Sequence, residues 1–291
     1  MKFRTIFILF NVVILTSFLF VFFLPIFLLG LGSWEGFWRA NWYLALIFVA
    51  LIFGLNAFFL INRRTFLLVE KEDWSELSAH LVARMFPKSR FSSSRVRLLV
   101  NAYLLQSDIE GIERLEAELS SKRPELLRRN ALLFGVTRLL RNRSEAAEAF
   151  FRPYLDCKDV ESLAWLRFDY GFSLVLQKRL SEALPFLDEG ASARDPVLCL
   201  VSAYLLGSVG AASSDLESDR RAVSARADAA RDRIRRRYTS AKWMKEVEGS
   251  KSEVHIVILS KLIDDAGHWL FAATPKNQGQ TAAPMAPTGA L

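Results

Sequence analysis

The chain has 291 residues, 52% of them hydrophobic, and a net charge of +7, with a mean hydropathy of +0.19. The apolar excess lies in roughly the first sixty residues; the remainder has ordinary composition and is long enough for one domain with a sizeable core. Cys157 and Cys199 stand far apart with no second Cys or His beside either, which excludes a zinc-ligand pattern and leaves two small buried side chains or one disulfide.

From Ile6 to Leu29 the chain carries no charge, and Asn11, Thr16, Ser17 and Pro25 are its only breaks. A helix over 6–29 is long enough to cross a hydrocarbon core of about 30 Å. A cleavable signal peptide has a shorter apolar stretch and a small-residue cleavage site, and neither fits. Pro25 is expected to kink or end this helix. A second uncharged run, Trp42 to Ile61, forms the other half of a transmembrane hairpin occupying 1–65. The connection and the start of the second run carry Trp34, Trp38, Trp42 and Tyr43, rings that prefer the headgroup level. Lys2 and Arg4 precede the first run and Arg63 and Arg64 follow the second, against Arg39 and Glu35 between them. By the positive-inside rule both ends are cytoplasmic. The localisation this implies is a bacterial inner membrane with a cytoplasmic soluble domain, a periplasmic one being the alternative.

Beyond Arg64, apolar residues recur at helical spacing and strand-like alternation is nearly absent. Residues 66–206 then show an internal repeat. Gly135 is followed at twelve residues by Ala147 and four later by Phe151. Gly171, Ala183 and Leu187 repeat that spacing, and Val100, Ile112 and Glu116 do so more weakly. The second member of each set advances by 35 and then 36 residues. Extended backwards, the period reaches Leu77 and Leu81, with Trp74 just before. A small residue on one helix lets the next approach closely, and hairpins that cannot bury their apolar faces alone stack into a solenoid. Pro124 and Pro196 fall just past helix ends.

Gly135, Ala147 and Phe151, then Gly171, Ala183, Leu187 and Pro196, and more faintly Tyr103 and Pro124, make 94–196 resemble the tetratricopeptide-repeat family. The repeats are degenerate: most of the tryptophan and central tyrosine positions are altered, and Gly190 stands where alanine is usual. The expected fold is therefore all-α: a transmembrane hairpin, a TPR-like α-solenoid and long C-terminal helices over 207–271. These are a polar helix from about Asp215 to Glu248 and a last helix from Glu253 to Phe271, followed by a disordered tail over 272–291. The resemblance implies a concave surface lined by the first helix of each unit, which in many members clamps a carboxylate. Here only Arg97, Asn101 and Arg129 could serve such a clamp. The matching positions Leu132, Val136, Leu139, Trp165, Phe168, Phe172 and Val175 are apolar and are expected to bind a helix. The nearest candidate is the chain's own last helix, through Val254, Val257, Ile258, Leu262 and Trp269; a partner's helix is the alternative.

No nucleophile motif, phosphate-binding glycine loop or metalloprotease signature occurs, so no enzyme, cofactor or metal is expected. His80 reads as a surface residue, and Asp264 with His268 as a solvated pair rather than metal ligands. The densest charge feature is Arg231, Arg233, Arg235, Arg236 and Arg237. It reads as a solvated helix face with internal ion pairs to Asp228 and Asp232. As a partner site, Arg233, Arg235, Arg236 and Arg237 suit an acidic protein or anionic lipid headgroups; no nucleic-acid recognition module accompanies them. Val223, Ala227, Ala230, Ile234, Tyr238 and Ala241 form a thin apolar seam on the same helix, suited to docking on the solenoid or on a second copy. The role expected is a membrane-anchored protein–protein interaction scaffold or adaptor. A structural subunit or assembly factor of an envelope or flagellar collar-like complex is the alternative.

Overall fold

The computed structural model of the chain describes residues 3–29, 34–87, 89–213, 217–250 and 254–272. The expected disordered tail, from 273 onward, lies outside the described residues. Among the described residues every regular element is a helix, and the chain divides into two compact units.

The first unit comprises residues 1–90 and 102–108. Helix α1 (Phe3–Leu29) continues through Pro25 rather than ending there, and α2 (Trp34–Glu70) is 37 residues long. Helix α2 begins before Trp42 and outlasts Ile61, because nothing between Trp34 and Glu70 breaks a helix: Arg63 and Arg64 are good helix formers. Both helices are long and apolar enough to cross a membrane. They pair through aromatic edges, with Phe7 on Phe59 at 5.2 Å and Phe18 on Phe48 at 5.6 Å between ring centroids. A polar bond joins them: Asn56 Nδ2 donates to Asn11 Oδ1 at 2.8 Å. Such a bond gains value where water is absent. At about 1.5 Å per residue α2 is ~55 Å long, well beyond a bilayer core of ~30 Å. Its last turns receive α3 (Trp74–Met85), which Asp73 caps by accepting the Glu76 N–H at 3.0 Å. Leu68, Leu77, Leu81 and Met85 are buried. Gln106 ties in the far side, donating to the Trp74 carbonyl at 2.9 Å. The start of the region expected to be solenoid is thereby folded onto the end of α2.

The second unit comprises residues 91–101 and 109–291. Its helices are the first part of α4 (Ser93–Leu105), α5 (Ile109–Lys122), the short α6 (Pro124–Arg129), α7 (Ala131–Leu140), α8 (Ser144–Phe151), α9 (Leu163–Leu176), α10 (Leu180–Ala191) and α11 (Pro196–Ser213). Pro124 and Pro196 open α6 and α11, where their missing N–H costs nothing. Each helix from α7 to α11 packs on the next, and α7 with α9, and α9 with α11, also touch directly. Cross-links between successive hairpins are ionic. Arg138 makes a bidentate pair with Glu116 at 2.8 and 2.9 Å. Glu148 is nearly buried, and Arg179, Arg152 and Gln177 all donate to it. Burial alone would raise the Glu148 pKa, but these donors hold it below the ordinary value.

One backbone device recurs along the chain. Glu72, Ser107, Asn142 and Lys178 are left-handed, with φ between 56° and 63°. The residue after each sends its N–H back five positions: Asp73 to Leu68, Asp108 to Tyr103, Arg143 to Arg138 and Arg179 to Leu174, at 2.9–3.1 Å. This is a helix C-terminal motif that reverses the chain, and each copy leads into α3, α5, α8 or α10. The four positions recur every 35 or 36 residues, the same period as the small-residue spacing. Ala147 and Ala183 are fully buried. Phe151 packs back over Gly135 of its own hairpin.

The C-terminal region has more breaks than the sequence suggests. The polar helix is two, α12 (Glu217–Arg237) and α13 (Ser240–Ser250), and the last helix is also two, α14 (Val254–Ile258) and α15 (Ser260–Phe271). Val223, Ala227, Ala230 and Ile234 are buried where α12 packs on α11, so the seam serves the chain's own core. Ala241 faces solvent. Both cysteines are free, so no disulfide joins them.

Candidate functional site

The inner face of the second unit is lined by α7, α9 and α11, because these first helices of successive hairpins touch one another while α8 and α10 lie behind them. Helix α14 packs on α7, and α15 packs on α11 and α12. The face is therefore covered by the chain's own C-terminal helices. Ile256, Leu259, Ile263, Ala266 and Leu270 are buried there. The helix expected at this place is present, but with a different face inward. Val257 is exposed, Ile258, Leu262 and Trp269 are only half-buried, and the side chain of Val254 lies outside the described residues. Ile256, Leu259, Ile263, Ala266 and Leu270 keep one helical stripe across the turn at Leu259, where i→i−4 bonds continue, and that stripe lies beside the expected one.

Trp165 anchors the contact. Its Nε1 donates to Asp195 Oδ2 at 2.8 Å, and Oδ1 of the same carboxylate caps α11 by accepting the Val197 and Leu198 N–H groups. The His255 ring lies 4.7 Å from the Trp165 ring, and Phe168 stands edge-on to Trp165 at 5.7 Å. Leu132, Val136, Leu139, Trp165 and Phe168 are buried, and Phe172 and Val175 are partly buried. None of the first five is an open surface for another protein, because an apolar face left in water is costly and the chain covers its own.

The other expected partner residues divide. Arg233 donates to the Ala191 carbonyl at 2.6 Å and to Cys199 Sγ at 3.0 Å, so it ties α12 to the end of α10. Arg231 is buried, its guanidinium 4.8 Å from the Trp269 ring centroid. Arg235, Arg236 and Arg237 project into solvent, and Arg233 is also exposed apart from the guanidinium end that makes its two bonds. At the expected clamp, Arg97 and Arg129 both bind the chain's own Glu161. Outside the inner face, a cleft of about 370 Å³ is lined by Glu113, Glu116, Arg138, Arg141 and Arg143.

Asp169 was not singled out by sequence, since one acid in an apolar helix reads as a solvent mark. It is fully buried, and neither carboxylate oxygen has a hydrogen-bond partner among the described residues. Burial pushes its pKa well above the ordinary value. A raised folded pKa means stability is greatest below the unfolded value near 3.9 and falls as pH rises through the folded value. Asp169→Asn removes the charge and keeps the shape. It is expected to raise stability at pH 8 by about 1 kcal/mol or more and to change it little at pH 4, as read by denaturant melts.

His255 has the opposite sign. Burial holds its pKa down to about 4, with Asp195 opposing. Stability is full above the unfolded value near 6.5 and falls as pH drops from there towards 4, by up to about 3 kcal/mol. The expected result is a melting temperature that falls between pH 6.5 and 4 in the parent and falls less in His255→Gln. Parallel acid profiles for the two chains would contradict it.

Comparison with known proteins gives a family and no function. An uncharacterized protein of Treponema pallidum (strain Nichols) is 30% identical over 240 residues, which is 80% of this chain and 76% of that protein. No solved structure matches. A family model described as "Uncharacterised Treponema protein" matches residues 111–272, more than half of the chain, and takes in both the inner face and the helices that cover it. The chain therefore belongs to that Treponema family.

Proposed function

We propose that the protein is a membrane-anchored, non-enzymatic scaffold that presents a tetratricopeptide-like helical array to other proteins. The observation that carries this is the recurrence of one helix-reversing turn every 35 or 36 residues, directly after two helices long and apolar enough to cross a membrane. Stacked helical hairpins present extended surfaces. A membrane anchor raises their local concentration without new contacts. With the inner face covered, the surface left for partners is the polar outer one, including the Glu116–Arg138 cleft and Arg235 to Arg237. The excess of Lys2, Arg4, Arg63 and Arg64 over the connecting segment favours a cytoplasmic array.

Two measurements test this. A reporter fused after Leu291 is expected to be active only in the cytoplasm; activity only on the far side would reverse the orientation. Crosslinking in native membranes followed by co-purification is expected to recover the same proteins from the parent chain at low and moderate salt. Recovery of the chain alone at every salt concentration would sink the scaffold reading.

A further inference from the structure

The turn at 71–73 folds α3 back along the end of α2. From Ile61 to Glu70 the helix rises ~14 Å, and from Trp74 to Arg84 ~15 Å. The end of α3 therefore returns to the level of Ile61, and Arg84 Nη1 donates to the Ile61 carbonyl at 3.3 Å. Ile61 is the last apolar residue of the run that starts at Trp42. Arg84 is thus carried by the fold, not by a local run of basic residues, to the edge of the apolar part of α2.

Charge along this antiparallel pair is graded. Arg64 and Arg84 stand beside His80 near Ile61, Arg64 exposed and Arg84 half-exposed, whereas Arg63 lies on the face of α2 away from α3. Glu76 reaches the pair from α3, accepting from Arg64 at 2.7 Å. Glu70, Glu72 and Asp73 stand at the opposite tip with Lys71. His80, expected on the surface, is half-buried beside Arg64 and Arg84. Burial first, and then those two guanidinium groups, hold its pKa below the ordinary value, so the histidine adds no charge near neutrality.

We propose that Arg64 and Arg84 form a headgroup-level site for the phosphate of an anionic phospholipid. The inference rests on the membrane reading of α1 and α2 given above. With that apolar stretch in a bilayer, the cationic end of the α2–α3 pair faces the headgroups and the acidic tip faces away from them. An anionic surface favours that polarity, and each basic residue near it strengthens the attraction. Guanidinium forks suit phosphate oxygens, and here two helices supply them. The site exists only while α3 is folded back on α2.

The test uses the full chain. Flotation with phosphatidylcholine vesicles first reports the bilayer reading by itself. The protein is then extracted from vesicles of equal phosphatidylcholine and phosphatidylglycerol, and its retained lipid is counted by native mass spectrometry. The parent is expected to float and to retain phosphatidylglycerol in preference. Arg84→Gln and, separately, Arg64→Gln are expected to cut that preference about fivefold. Lys71→Gln, the same charge change at the far tip, is expected to leave it unaltered. A parent that fails to float removes the bilayer reading and this site with it. A parent that floats without lipid preference overturns the site alone, as does an equal loss in Lys71→Gln and Arg84→Gln. Arg64 is exposed and its bond to Glu76 is at the surface, so unchanged preference in Arg64→Gln would overturn its assignment even if Arg84→Gln folds poorly.

Discussion

A chain ending at Ser250 will lose most of its stability and will aggregate or bind hydrophobic dye. Such a cut removes α14 and α15. Four large side chains go with them, Ile256, Leu259, Ile263 and Leu270, all at least 96% buried. At about 1.5–3 kcal/mol for each fully buried aliphatic chain, the loss is ~6–12 kcal/mol, an upper bound because unfolded chains already hide some apolar surface. That matches the whole stability of an ordinary domain, about 5–15 kcal/mol. The cut also uncovers Trp165 and neighbours on α7 and α9, which are apolar and have no other cover. A milder variant isolates the contact: Ile263→Asp keeps the chain length but places a charge in an apolar site, and it is expected to melt well below the parent. A chain ending at Thr274 keeps both helices and is expected to melt like the parent. A chain ending at Ser250 that stays monomeric, silent to dye and equally stable would mean that α14 and α15 contribute nothing to the fold.

The parts of this fold that sequence reveals are those with a long-range pattern. Charge-free runs mark α1 and α2 because a bilayer-length apolar helix has few alternatives. The 36-residue spacing of Gly135 with Gly171 and of Ala147 with Ala183 marks the hairpins because close helix packing demands small residues. The helix ends are hidden, since the left-handed positions that reverse the chain hold Glu72, Ser107, Asn142 and Lys178 instead of the glycine that usually signals a stop. The ends of α2 are hidden for a related reason: an arginine pair at the edge of an apolar run is a membrane signal and not a helix stop.

At the inner face, the apolar character of Trp165, Phe168 and Phe172 was legible, and so was the need for a covering helix. The buried stripe was not. Val257, Ile258, Leu262 and Trp269 form one apolar face, but the neighbouring face with Ile256, Leu259, Ile263 and Leu270 is apolar too and is the one turned inward, and periodicity alone does not choose between them. Arg233 reads as one of five solvated arginines, yet its guanidinium binds the Ala191 carbonyl. Long side chains reach partners that spacing along their own helix cannot indicate.

Replacing glycine by alanine will have opposite effects at two helical positions of the second unit. Alanine is the better helix former, by about 0.5–1 kcal/mol in a helix interior. Gly249, near the end of α13, has nothing within 4 Å of the place a Cβ would take. Gly249→Ala is therefore expected to raise stability by a few tenths of a kcal/mol, up to ~1. At Gly171 on α9, a Cβ would stand 2.8 Å from Phe186 Cβ and 3.7 Å from the Ala183 carbonyl oxygen of α10. Phe186 Cβ is fixed to the backbone and cannot swing aside, so α9 and α10 must separate. Those two helices form one hairpin of the array, and α9 also contacts α7 and α11. Separation would loosen buried neighbours such as Phe168 and Leu174. Gly171→Ala is therefore expected to cost about 1–3 kcal/mol after the helix-propensity gain. Trimming the opposing residue supplies the control: Phe186→Ala leaves its own Cβ in place and should give no rescue, whereas Phe186→Gly should restore part of the loss. The double-mutant cycle, read from urea midpoints, isolates the pair. Equal stability gains at Gly171 and Gly249 would show that α9 and α10 are not in close contact at Gly171.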